Sequence, residues 1–432
     1  MLKLRIDQQN TLDWLMQAAY TAARLFTKNE LTNHAAATAF YLLLSAAPLV
    51  LLLTYAAQGL EHLAENSNAA SVLLAALYQQ FNLGELAELG FIPKTAMASA
   101  SGVSLLTLIL SSRGLVNALN SAFRVIFPDD NKRNFAVNWA LPLIIIPLVF
   151  GLVLLAVGMQ AALTFLDQAD MLGARSAHVL KGINALFALT ALWSLFYLAF
   201  RRLPLSPPPA KASAVIALLA TLTLFALSLG FNLFFRVEKY QAVYGALGGV
   251  VFILIGGYFA CLAFYFWAQF LYAVGKVDVA ALEKLFLSGG GDGGGKLESI
   301  VFSRANRLLA KYGRTYAPDE ALIVEGDASQ DAVFIHAGTV AVFKQLPGGE
   351  RKLASIGEGS LLGEMAYLLN EKRTASVRAE TAVTALILPP EMLEELMRYS
   401  APLSRRIIGA LAERLMRMNQ AQATPPLATP SR

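Results

Sequence analysis

Apolar runs decide what this chain can fold into. Ala140 to Leu163, Ile183 to Phe200, Ala212 to Phe235 and Gly245 to Val274 are each long enough to cross a hydrocarbon layer of about 30 Å as a helix. With 56% apolar and only 15% charged residues, the chain carries more oil than a soluble core of its length conceals. The pattern predicts six spans, at 35–60, 96–116, 136–163, 183–200, 212–235 and 243–274. The expected fold class is an α-helical polytopic membrane bundle followed by a cytosolic β-roll with flanking helices.

Charge orients this bundle. The first 34 residues carry Lys3, Arg5, Arg24 and Lys28 and lack the short apolar segment and cleavage site of a secretory signal. With that end inside, the cytoplasmic segments hold ten basic residues, adding Arg124, Lys132, Arg133, Arg201, Arg202 and Lys211. The opposite side holds five: Lys94, Arg175, Lys181, Arg236 and Lys239. The asymmetry predicts a multi-pass protein of a bacterial inner membrane with both termini cytoplasmic. The segment 61–93, with Glu61, Glu65, Glu85 and Glu88, then forms short helices outside the bilayer. One cysteine, Cys261, excludes a disulfide framework and a thiolate cluster.

A composition break follows. SGGGDGGGK, 288–296, reads as a flexible linker with a root-mean-square span of roughly 15 to 18 Å. It separates a membrane domain, 1–287, from a soluble domain, 297–420, and residues 421–432 read as a frayed tail. Between Leu297 and Gln420 there are 15 basic and 15 acidic residues, so the net positive charge belongs to the membrane half and signals topology before nucleic acid. In the soluble domain, β-rich segments are punctuated by turns at Gly326, Gly348 and Gly359, and an amphipathic stretch, Leu403 to Met418, closes it.

LLGEMAYLLNEKRTASVRA, 361–379, is the stretch with chemistry. A cyclic phosphate needs a cation and backbone N–H donors, and a ribose hydroxyl needs an acceptor. Gly363 lets backbone approach a ligand, Glu364 can accept from a hydroxyl, and Arg373 can pair with phosphate oxygens. A helical turn over 363–369 would add N–H groups. Residues 314–418 resemble a cyclic nucleotide-monophosphate-binding domain: RTYAPDEALIVEGDASQDAVFIHAGTVAVF is similar to its opening strands and IGEGSLLGEMAYLLNEKRTASVRA to its phosphate cassette. The resemblance implies that Glu364 holds the ribose and Arg373 the phosphate, within a ligand set of Gly363, Glu364, Met365, Ala366, Arg373, Thr374, Ala375 and Ser376. The ligand is then cAMP or cGMP, acting as a regulator and not as a cofactor. A degenerate copy kept for protein contact is the alternative. No basic helix pair follows Met418, so no nucleic-acid partner is expected.

The membrane half resembles the YihY/virulence factor BrkB family through NHAAATAFYLLLSAAPLVLLL, ASGVSLLTLILSSRGLVNALNSAFRVIF and YGALGGVVFILIGGYFACLAFYFWAQFLYAV. That resemblance implies a six-span protein associated with envelope transport and an old ribonuclease BN label. The four histidines, His34, His62, His178 and His336, are scattered and form no metal-ligand motif, so an enzyme is not expected and no metal site is assigned. Arg113, Asn117 and Asn120, with Arg124, recur on one helical face and are candidates for a membrane pathway; a snorkelling interfacial end is the other reading. Asn33 and His34, just before the first span, and Ser45 within it are weaker candidates of the same kind. Tyr258, Phe264, Tyr265, Phe266 and Trp267, and the glycines from Gly245 to Gly257, read as packing.

The combined expectation is a cyclic-nucleotide-regulated membrane protein that transports or conducts a solute or envelope lipid; the alternative is a membrane-anchored sensor or scaffold acting on a partner protein. Its partners are the lipid bilayer and a cyclic nucleotide, and a homo-oligomer is left open. A flexible linker transmits little force, so the soluble domain is expected to dock through Glu391, Glu394 and Glu395 on the basic cytoplasmic edge at Arg124, Lys132, Arg133, Arg201 and Arg202.

Overall fold

The computed structural model describes residues 2–45, 100–128, 174–234, 248–288, 300–302 and 306–409, with 412 and 416. Five long helices come first: α1 (Leu2–Lys28), α2 (Ala100–Ile126), α3 (Ala174–Arg202), α4 (Ala210–Phe234) and α5 (Gly248–Ser288). Residues 31–45 are also helical, after a break at Glu30, whose φ is 50°. Among the described residues, three helices are long and apolar enough to cross a membrane, at Ala185–Arg202, Ala210–Phe231 and Val250–Leu287, where the sequence predicts six. The expected span 136–163, most of that at 35–60, the segment 61–93, linker residues 289–296 and the tail lie outside the described residues.

The chain divides into two compact units, Ala22–Tyr272 and Met1–Thr21 with Ala273–Arg432. The first is held by aromatic packing: Phe264 of α5 lies 5.2 Å from Phe196 and 5.3 Å from Phe200 of α3, and 5.8 Å from Phe123 of α2. Trp193 donates to the Ala214 carbonyl at 2.9 Å, tying α3 to α4, and Trp267 donates to Thr223 at 3.0 Å, tying α5 to α4. Buried hydroxyls at Thr38, Ser213 and Thr221 return to the carbonyl four residues earlier, the arrangement that lets polar side chains sit inside apolar helices. Gly114 faces Tyr41 so closely that a Cβ would stand 2.3 Å from its ring.

Helix α5 runs through the division at Tyr272 and Ala273. Helix α5 has 41 residues, about 60 Å at 1.5 Å per residue, which is twice a hydrocarbon layer. Its last stretch carries Lys276, Asp278, Glu283 and Lys284 among apolar residues, and those apolar residues have a different use. Val279, Ala281, Leu282 and Phe286 are buried with Leu308, Phe334, Leu386, Leu388, Leu393 and Leu396 in one core.

That core forms one side of a β-roll. Its strands are β1 (Gly313–Tyr316), β2 (Ala321–Ile323), β3 (Ala332–Ala337), β4 (Val340–Leu346), β5 (Gly349–Ile356), β6 (Leu361–Leu362), β7 (Ser376–Ala379) and β8 (Val383–Leu388). They make two four-stranded sheets, ordered β1-β8-β3-β6 and β2-β7-β4-β5. Strand alternation assigns the faces: Val333 and Ile335 of β3 join Val340, Val377 and Val383 between the sheets, while Ala332 and Phe334 join the helical core. Both faces of β3 and β8 are covered, which is why those strands read as continuous apolar runs. Helix α6 (Asn306–Tyr312) precedes β1, α7 (Glu364–Leu369) follows β6 and α8 (Pro390–Tyr399) follows β8.

Candidate functional site

The connection from β6 through α7 to β7, which crosses from one sheet to the other, presents the cassette. Gly363 caps α7 with φ 78°, a left-handed conformation that side chains adopt at a cost. Space imposes the same choice, because a Cβ there would lie 2.3 Å from Nη1 of Arg373 and 3.0 Å from the Asp331 carbonyl. The glycine thus gives room to the arginine as well as to backbone geometry.

Arg373 is buried, 6% exposed, and its fork is built into the loops. Nη1 donates to the Gly363 carbonyl at 2.9 Å; Nη2 donates to the Asp331 carbonyl at 2.5 Å and to Ser329 Oγ at 3.3 Å. Its backbone is clamped too, the N–H donating to Asp327 and the carbonyl accepting from Gly326. These three side-chain contacts use part of a guanidinium that has five N–H donors. Burial lowers its pKa from the ordinary value, and the carboxylates of Asp331, Asp327 and Glu364 oppose the shift. A guanidinium so placed stays cationic and is oriented before any anion arrives.

Glu364, the first residue of α7, is 3% exposed, and Ala366 is buried. Gly363, Met365, Ala375 and Ser376 are half-buried and Thr374 is exposed. The structure therefore brings half-buried Gly363 together with the buried side chains of Glu364 and Arg373. The Ser376 hydroxyl accepts from the Glu325 N–H at 3.0 Å, and the Thr374 carbonyl accepts from Lys344 at 2.5 Å.

Sequence reasoning passed over the support behind this cluster. Lys344 of β4 also donates to Glu325 at 2.7 Å, and the other Glu325 oxygen accepts from the Gln345 N–H at 2.9 Å. These two hydrogen bonds hold the Glu325 carboxyl below its usual range. Ser329 and Asp331 contribute through a hydroxyl and a carbonyl, groups that no spacing rule singles out.

In the membrane unit, Arg113 and Asn117 are exposed, Asn120 is half-buried, and Val116, Ala122, Phe123 and Ile126 form the buried side of α2. Asn120 and Arg124 line a small cleft with Phe123, Phe127 and Leu203 to Leu205. Deeper polar contacts join other residues: Thr38 and Tyr265 share a hydrogen bond of 2.6 Å, and Asn29 donates to Gln269 at 3.0 Å. His34 and Asn33 accompany them, the former accepting from Thr38 through its carbonyl and the latter donating to Glu30 at 3.1 Å.

Two of the acidic residues expected to dock on the basic edge have ion-pair partners within their own unit. Glu395 pairs with Lys276 of α5, and Glu394 pairs with Arg398 one turn along α8 at 3.0 Å.

Comparisons with known proteins fall on the same divisions. The family model for the cyclic nucleotide-binding domain matches residues 313–400, from the start of β1 to the end of α8. The chain is 29% identical over 118 residues to the cAMP-dependent protein kinase type II regulatory subunit of Drosophila melanogaster, covering 27% of this chain and 31% of that protein. It is 33% identical over 103 residues to the Cyclic AMP receptor protein of Thermus thermophilus, covering 24% and 48%. Among solved structures, the Thermus thermophilus Catabolite Activator Protein shares 28% identity at a TM-score of 0.26, covering 32% of this chain and 61% of that one. The chain spans less than two thirds of the length of each of these proteins. The family model for Virulence factor BrkB matches residues 22–284, beginning where the membrane unit begins and covering more than half of the sequence. The chain therefore belongs to the Virulence factor BrkB family and carries a cyclic nucleotide-binding domain at its C-terminal side.

Proposed function

We propose that this protein is a multi-pass protein of a bacterial inner membrane, with both termini cytoplasmic, whose membrane unit moves a solute or envelope lipid under the control of a cyclic mononucleotide. In the binding mode proposed, Glu364 accepts from the ribose and Arg373 meets the phosphate, with Met365, Ala366, Thr374, Ala375 and Ser376 around them. The observation that carries the regulatory reading is the end of α5. A merely tethered sensor would keep a closed core of its own, whereas here Leu282 and Phe286 fill the core under β3 and β8. Tyr367 of the cassette helix packs against the same core, and its phenol pKa is raised by burial and by the neighbouring Glu394 carboxylate. Ligand at Glu364 acts on α7, α7 acts through Tyr367 on α8, and α8 holds α5 through Glu395 and Lys276.

Purified protein in liposomes, screened for solute and lipid flux with and without cAMP and cGMP, tests this reading. Nucleotide-dependent flux is expected. Nucleotide binding without flux of any solute or lipid would favour the sensor or scaffold reading. Reporter fusions after Pro207 and Gly291 should both read cytoplasmic, and an external signal at either would overturn the orientation.

A further inference from the structure

Helix α1 is built inside out. Asp13, Gln17 and Thr21, each four residues after the last, are 9%, 2% and 3% exposed, while Leu12, Leu15 and Met16 are 60%, 49% and 40% exposed. At 100° per residue, Leu12, Leu15, Met16, Ala19 and Ala23 share an arc of about 100°, and all five are exposed. The roll of the helix is fixed by its polar side. Gln17 donates to the Val301 carbonyl at 3.3 Å and accepts from Arg307 at 3.2 Å, and Tyr20 meets Phe302 edge-on at 5.9 Å. Turning the apolar arc inward would break all three contacts.

An apolar arc facing outward from a fixed helix needs a non-aqueous neighbour. We propose that this face of α1 lies in the headgroup and acyl boundary of an anionic bilayer, as an interfacial helix. Three features select lipid as the occupant. The chain belongs to a membrane family. The helical stretch that follows in sequence also exposes large apolar side chains, Phe40, Leu42 and Leu44, at 54%, 41% and 45%. The helix also carries Lys3 and Arg5 near its start and exposed Arg24 and Lys28 near its end, the composition that draws an amphipathic helix to acidic headgroups. The inference stands apart from the nucleotide reading, since none of its residues belongs to the cassette.

The test uses the full chain in nanodiscs of phosphatidylcholine alone or mixed with phosphatidylglycerol. In a Cys261→Ser background, nitroxides are placed by Leu12→Cys, Leu15→Cys or Met16→Cys, with Glu358→Cys as an aqueous reference and circular dichroism as the check on folding. Labels at 12, 15 and 16 should collide more with oxygen than with a water-soluble nickel chelate, the reference label should show the reverse, and the contrast should grow with phosphatidylglycerol. Water-like collision ratios at all three positions would overturn the proposal. So would protection from both reagents with dipolar broadening, which would identify a second copy of the chain as the neighbour. A photoreactive phosphatidylglycerol applied to the unaltered chain gives an independent reading: adducts within residues 12–16 are expected, and adducts confined to the spanning helices would sink the idea.

Discussion

The Gly363 carbonyl accepts from Arg373 Nη1 at 2.9 Å, so the two ends of the cassette, ten residues apart in sequence, are one hydrogen-bonded unit. Removing the arginine deletes both that brace and the main cation of the site. Charge-assisted hydrogen bonds contribute on the order of 1.5 to 3 kcal/mol each. Arg373→Ala is expected to weaken cyclic nucleotide binding at least tenfold by calorimetry. Arg373→Lys should recover little, because an ammonium cannot reach Gly363, Ser329 and Asp331 as a planar fork does. Full recovery by lysine would show that charge alone suffices.

Gly363→Ala tests the same brace from the other side. The new methyl would stand 2.3 Å from Arg373 Nη1 on a backbone held at φ 78°, so the guanidinium must shift. Backbone strain of this kind costs about 1 to 3 kcal/mol, and binding should fall by a factor comparable to that of Arg373→Ala. Unchanged affinity with an unchanged melting temperature would mean that the loop relaxes without using the arginine.

The end of α5 belongs to the nucleotide domain's core, so Leu282→Ala should destabilise that domain although residue 282 lies in a helix that begins as a membrane span. A fully buried leucine cut to alanine costs about 2 to 5 kcal/mol. Hydrogen exchange of the full chain should show faster exchange in β3 and β8, which carry Phe334, Leu386 and Leu388 against it. Unaltered protection in those strands would place residue 282 outside the cooperative unit.

Much of this was legible beforehand, and the misses have a common physical cause. Gly363, Glu364 and Arg373 could be read because their residue types match the chemistry of a phosphate and a ribose at a fixed spacing. Alternating strands read equally well. The role of the end of α5, beyond the span expected at 243–274, was hidden because hydropathy does not distinguish a leucine facing lipid from Leu282 packed in the core with Phe334. The inverted faces of α1 were hidden for the same reason, since polar Gln17 reads as the wet side until its contacts with Val301 and Arg307 are seen. The glycine-rich stretch after Ser288 reads as a loose tether and lies outside the described residues.

Acid should loosen the support of the cassette. Lys344 holds the Glu325 carboxyl below its ordinary pKa, and Lys352 does the same for Glu380. A carboxylate depressed in the folded state contributes stability above its unfolded pKa and loses it as pH falls through the folded value. Melting temperature is therefore expected to decline on acidification through and below the ordinary carboxylate range, and Lys344→Met should make that decline shallower. An equally steep decline in Lys344→Met would assign the acid sensitivity elsewhere.

Coupling provides the last prediction. Lys276 of α5 and Glu395 of α8 form an ion pair whose side chains are 29% and 33% exposed, and Asp278 two residues on pairs with Arg307 and, at 2.5 Å, with Lys311. The Lys276–Glu395 pair alone should contribute modestly to stability, about 0.2 to 1 kcal/mol for a site partly open to water. The expected importance of these pairs is in register: they fix which face of α5 the sensor holds, and a coupling free energy of only about 1 to 3 kcal/mol is a typical regulatory effect. Lys276→Glu and Glu395→Lys should therefore each reduce the nucleotide dependence of flux, or of partner binding, while leaving nucleotide affinity within a few-fold. The double exchange restores the opposite charges and should restore the response. Lengthening the glycine-rich stretch 289–296 should change the response less than either single reversal, because force need not pass through it. A double exchange that fails to recover, or a longer glycine stretch that abolishes regulation, would remove the α5–α8 pair from the route and return the connection to the linker.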